Sequence, residues 1–107
     1  MTIFLVETYV VKSDKQKEFV SLWKRLITYM RENSEKFKAV KSVKLFAQMF
    51  GGTFGGYVEM LEVDSLADFD KWWMRILKDK EYMEIHQEFM LLIDPATLSV
   101  NVWNLVT

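Results

Sequence analysis

Few residues in this chain could do chemistry, and each stands nearly alone. The one histidine, His86, falls by helical spacing among Tyr82, Met83, Phe89 and Met90, inside an apolar stripe. A histidine so placed has two roles open to it. It is a core or interface residue whose ring nitrogens are satisfied by hydrogen bonds, or a ligand or proton-transfer group. Glu7 interrupts the apolar run Ile3-Phe4-Leu5-Val6-Glu7-Thr8-Tyr9-Val10-Val11. A carboxylate in the middle of a strand is costly unless paired or solvated, so Glu7 either meets a lysine or arginine at a dimer interface or lines a wet pocket. Glu59 belongs to a neighbouring strand. If register brings it beside Glu7, one carboxyl pKa rises and the two make an acid/base pair.

The aromatic candidates for a ligand pocket are Trp72, Trp73 and Tyr82. Tyr9, Tyr57 and Trp73 read first as packing aromatics. A multidentate metal site is not expected, because there is one histidine and no cysteine, and the helical neighbours of His86 are not usual ligands. Four glycines crowd into Gly51-Gly52-Thr53-Phe54-Gly55-Gly56, but their spacing is not that of a dinucleotide-binding loop. They join two strand-like segments instead of opening a helix, so a phosphate cradle is not expected.

At 107 residues one domain spanning the whole chain is expected, small enough that burial through oligomerisation matters. Half of the residues are hydrophobic and 15% are aromatic, which argues for a large apolar interior. The net charge of -1 removes the electrostatic reason to propose nucleic-acid binding. No stretch approaches the roughly 20 apolar residues of a membrane span, and the first residues lack the basic region of a signal peptide. A cytoplasmic protein is expected.

These residues must be held by elements that the periodicity outlines. Residues 2 to 11 read as a strand, with Phe4, Val6 and Val10 on one face and Ile3, Leu5, Tyr9 and Val11 on the other. Ser13 and Gln16 form a capping-box pattern before a helix expected over residues 14 to 37, striped by Phe19, Trp23, Leu26, Met30 and Phe37. Residues 40 to 50 alternate as a strand, the glycine run turns the chain, and Tyr57 to Val63 completes a hairpin. Asp64 or Ser65 caps the next helix, whose stripe is Leu66, Phe69, Trp73, Ile76 and Leu77, with Trp72 at its edge. A break near Lys78 to Lys80 leads to a helix carrying His86 and reaching Ile93, ended by Asp94-Pro95. Leu98 to Val106 is the last strand.

The order β-α-β-β-α-α-β is that of an α+β, ferredoxin-like fold: a four-stranded antiparallel sheet with helices on one face and the first and third strands central. A first strand that is apolar on both faces wants cover on both. A second copy packed sheet to sheet is the simplest source, making a homodimer.

The element order, the broken second helix with Phe69-x-x-Trp72, and Tyr82-x-x-x-His86 make the chain similar to the dimeric α/β-barrel superfamily. Within it the antibiotic-biosynthesis-monooxygenase-like and NIPSNAP-like groups are the ones it resembles. The resemblance implies a site between helices and sheet. In a haem-degrading branch that site uses a late helical histidine, an earlier tryptophan and an asparagine on the first strand. His86 and Trp72 match the first two positions, while Glu7 stands at the third.

Two functions from different classes follow. One is a dimeric barrel protein that binds a small apolar or aromatic molecule between helices and sheet. Its enzymatic version is a monooxygenase working without cofactor or with haem, with His86 and Glu7 as the catalytic pair. The other is a structural or interaction protein whose aromatics serve only core and interface. A cavity of roughly 300 Å³ or more lined by His86 favours the first, and tight packing around that ring the second.

Overall fold

The structure is a computed structural model that describes residues 2–52 and 54–107. Its elements are β1 (Ile3–Val11), α1 (Gln16–Glu32), a 3₁₀ turn (Ser34–Phe37), β2 (Val40–Ala47), β3 (Gly56–Val63), α2 (Leu66–Ile76), α3 (Lys80–Leu92) and β4 (Ile93–Asn104). The sheet order is β2-β3-β1-β4, every neighbouring pair antiparallel, with β1 and β3 central. This is the ferredoxin-like arrangement expected from the element order. No helix among the described residues is long and apolar enough to cross a membrane.

Register assigns the two faces. Leu5 pairs with Leu61, Glu7 with Glu59 and Tyr9 with Tyr57, and Val100 and Val102 lie opposite Glu7 and Leu5 on the far side of β1. Directly opposed residues share a face, and this set faces the helices. Phe4, Val6, Met60 and Trp103 face away from them. The expectation that this outer face of β1 needs a second subunit for cover is too simple. Val6 is only 2% exposed within one chain, flanked by its partners Met60 and Asn101. The apolar surface left open lies farther out, at Phe46 on β2 and Trp103 on β4.

Several boundaries depart from the periodicity. The helix expected over residues 14 to 37 is two elements, because α1 stops at Glu32 and Phe37 reaches the core from the 3₁₀ turn. Ser13 makes no cap: Lys15 holds that position without a side-chain bond. The Gln16 amide instead donates to the Val11 carbonyl at 3.2 Å, and its oxygen accepts from the Tyr57 hydroxyl at 2.9 Å. That ties the helix start to the sheet. β2 ends at Ala47, and Gly51, Gly52 and Gly55 adopt the positive φ that lets the hairpin loop close. Thr53 of that loop and Met1 lie outside the described residues.

The chain after α3 also differs. Ile93 is not helical but opens β4, which runs through Asp94-Pro95. A proline is tolerated there because β4 is an edge strand whose pairing with β1 shifts register between Thr8 and Val10. The Thr97 hydroxyl fills the gap, accepting from the Val10 N–H at 2.9 Å and donating to the Asp94 carbonyl at 2.6 Å.

Candidate functional site

Between helices and sheet the core is divided. One buried cluster joins Tyr9, Val11, Phe19 and Ile93, and a second joins Phe37, Trp72 and Ile76. A cavity of about 560 Å³ is lined by Phe37 and Trp72 of the second cluster and by Trp23, Phe89 and Met90, which pack against the first, with Glu7 and Glu59 on its sheet wall. Two carboxyl groups at the middle of the covered face would be expensive to pack against hydrocarbon. A space left above them is the less costly arrangement.

Each element contributes for a local reason. The Ser65 hydroxyl caps α2 by accepting from the Asp68 N–H at 3.1 Å, fixing the helix so that Trp72, not the edge of the stripe as its spacing implies, becomes the centre of the second cluster. Trp72 is 1% exposed, whereas Leu66 and Leu77, expected on the buried stripe, are exposed. The stripe is rotated toward Trp72 because α2 packs its Phe69-Trp72-Ile76 side against Phe37 and Leu61. The Trp72 indole N–H is buried without a partner.

Asp79 supplies the break between α2 and α3. Its carboxylate accepts from the Tyr82 N–H at 2.9 Å, capping α3, and from the Tyr29 hydroxyl at 2.6 Å and the Lys36 ammonium at 2.7 Å. Burial alone would raise this carboxyl, but those three donors outweigh it and bring it down to about 2. Farther along, the Arg25 guanidinium reaches from α1 to Glu81 at 2.9 Å and Glu88 at 3.1 Å on α3. The helix carrying Tyr82 and His86 is thereby pinned to α1 from outside.

The sequence candidates meet at this cavity. Glu7, Glu59, Trp72, Trp73, Tyr82 and His86 all line it. Glu7 and Glu59 are direct cross-strand partners, so Glu7 faces the helices and not the outer sheet face, and no lysine or arginine pairs with it among the described residues. Desolvation pushes the Glu59 carboxyl well up, and the hydrogen bond and charge of Glu7 push it further. The Tyr9 hydroxyl donates to Glu59 at 2.5 Å. Burial, followed by the charges of Glu59 and Glu7, also raises the Tyr82 phenol, which places it within the field of the pair. His86 is half-buried, its ring 6.3 Å from that of Phe89.

Tyr9, which read as a packing aromatic, is thus the polar partner of the pair as well as a core ring. Its place two residues from Glu7, on the same face of a strand, was the available signal. At the edge strand, Val100 and Val102 of the lining are about half exposed, so the cavity opens beside β4. Among the described residues no group of three or more His, Asp or Glu could hold a metal ion.

The lining does not make a haem site. His86 could ligate an iron, but haem also carries two propionates, and no lysine or arginine lines the cavity while two carboxyl groups do. Burying like charges together would oppose that group's binding.

Fold and cavity together define an α+β, ferredoxin-like protein with a hollow between helices and sheet. No family model matches the sequence, and no curated protein matches it either. Solved structures do. Rv0793 from Mycobacterium tuberculosis superposes with a TM-score of 0.72 at 15% identity, over 100% of this chain and 97% of that one. A NIPSNAP family protein from Agrobacterium tumefaciens gives 0.76 at 13% identity, over 97% and 92%. A dimeric protein of unknown function and ferredoxin-like fold from Bacteroides fragilis gives 0.66 at 10% identity, over 97% and 96%. At such identities the likeness is one of fold.

Proposed function

We propose that this protein binds a small apolar or aromatic molecule in the cavity between its helices and sheet, and that it does so as a homodimer. The observation that carries the reading is the cavity itself. Its volume of about 560 Å³ falls within the range of small-molecule sites, and its wall is apolar except for a few convergent polar groups. Glu7, Glu59 and His86 are those groups, with Trp72, Trp73 and Tyr82 forming the aromatic wall. A protein built only as core and interface would close such a space, since tight packing is worth more than a void.

The dimer forms through the outer sheet face, where Phe46 and Trp103 leave large apolar side chains open. The Bacteroides fragilis protein of this fold is described as dimeric, which supports a dimeric state. The enzymatic form of the reading is a monooxygenase-like reaction without haem, in which the bound molecule itself supplies two electrons, dioxygen leaves one oxygen atom on it and the other in water, and His86 and Glu7 move the protons. Absence of cysteine fits work in the cytoplasm.

The reading is tested by filling the space. Leu26→Trp places an indole in the cavity from α1, and thermal unfolding is followed with and without an aromatic ligand such as phenethylamine. A ligand-dependent rise in midpoint for the wild type that disappears in the variant is expected. A rise of equal size in both proteins contradicts binding in this cavity.

A further inference from the structure

We propose that the ligand of this cavity is an apolar organic cation, an aromatic or alkyl ammonium, held with its charge between Glu7 and Glu59 and its hydrocarbon against the aromatic wall. This rests on the reading of the cavity as a ligand site and names the chemistry of what enters it. The charge-bearing groups of the lining are two carboxyls, and none of the 14 lysines and arginines of the chain lines it. Arg25, in the helix that roofs the cavity, is turned outward to Glu81 and Glu88. An anion would therefore bring negative charge beside carboxyl groups in an apolar space. A neutral molecule would leave the pair without a counter-charge. A cation supplies the missing partner, and rings of Trp23, Trp73, Tyr82 and Phe89 on the same wall offer faces to its charge.

Burial, and then the hydrogen bond and charge of Glu7, raise the Glu59 carboxyl well above its ordinary value, which favours a proton where the ammonium would sit. Binding of an ammonium then expels this proton, so affinity rises with pH. The titratable groups facing the pair are Tyr9 on β1, Tyr57 on β3, and Tyr82 and His86 on α3; α1, α2, β2 and β4 present apolar side chains to the cavity. The Tyr9 and Tyr82 phenols are both pushed upward by burial and stay neutral.

Calorimetric titration with phenethylamine, phenethyl alcohol and phenylpropionate tests the charge of the ligand, because the three share a hydrocarbon and differ in charge. The amine is expected to bind about tenfold more tightly than the alcohol, with phenylpropionate weakest. Heats in two buffers of different ionisation enthalpy should show proton release for the amine alone. E7Q should bring the ratio of amine to alcohol affinity down to about one. An alcohol that binds as tightly as the amine in the wild type, or a tighter carboxylate, overturns the cation and leaves the ligand site standing. Binding by none of the three overturns both.

Discussion

Glu7 and Glu59 stand directly opposite each other on the two central strands, on the helix-covered face of the sheet, with the Tyr9 hydroxyl donating to Glu59 at 2.5 Å. The pair makes stability depend on pH. Glu59 titrates well above its ordinary value because of burial and then Glu7. A carboxyl raised on folding contributes fully below its unfolded pKa, and that contribution is lost as pH rises through the folded one. Glu59→Gln keeps a neutral side chain that still donates to Glu7 and accepts from Tyr9. Wild type and E59Q should be similarly stable near about pH 4, with E59Q the more stable by about pH 8. Urea unfolding at both values checks this, and a wild type that gains on E59Q with rising pH contradicts it.

Asp79 gives the opposite sign. Its carboxyl, at about 2 because of its three donors, contributes stability that is present above the ordinary aspartate range and lost as pH falls toward that value. Asp79→Ala removes the cap of α3 together with the bonds from Tyr29 and Lys36. A loss of about 1–2 kcal/mol is expected at neutral pH. The loss should shrink on acidification, as chemical unfolding from about pH 6 to pH 2 would show.

At Trp72 volume and hydrogen bonding separate. The indole is buried, but its N–H has no partner, so the ring's packing is what the position uses. Trp72→Ala should cost about 3–5 kcal/mol. Trp72→Phe, which discards the unpaired donor, should cost much less. Equal losses in urea unfolding for the two variants would mean that the indole nitrogen has a partner in solution.

Haem should not bind in a manner that depends on His86. Two carboxyls and no cation face the cavity, which is unsuited to the propionates. Titration of haem into wild type and His86→Ala should give the same absorbance spectrum. A shifted Soret band present only in the wild type contradicts the account.

The sheet and its helices were legible because period and punctuation agree. Ser65 caps where a capping residue stands before an apolar stripe, and Glu7 announces itself as the one charge in β1. The cavity was legible only as a set of candidates. Whether Glu7 and Glu59 meet is a matter of strand register, and register is fixed by long-range pairing that no local pattern contains. Trp72 was misplaced for a similar reason: helical spacing gives a stripe about 100° wide, and the tertiary contacts with Phe37 and Leu61 choose its centre. Ile93 departs from the helix because the shifted register of β4 against β1 accommodates Pro95.

The four tryptophans offer the most direct test of the cavity as a ligand site. Trp23, Trp72 and Trp73 line it, whereas Trp103 lies on the outer face of the sheet. Indole N–H resonances of the labelled protein, followed during titration with phenethylamine, should shift saturably for the first three and stay fixed for Trp103. Shifts confined to Trp103, or none at all, would contradict occupancy of the space between helices and sheet.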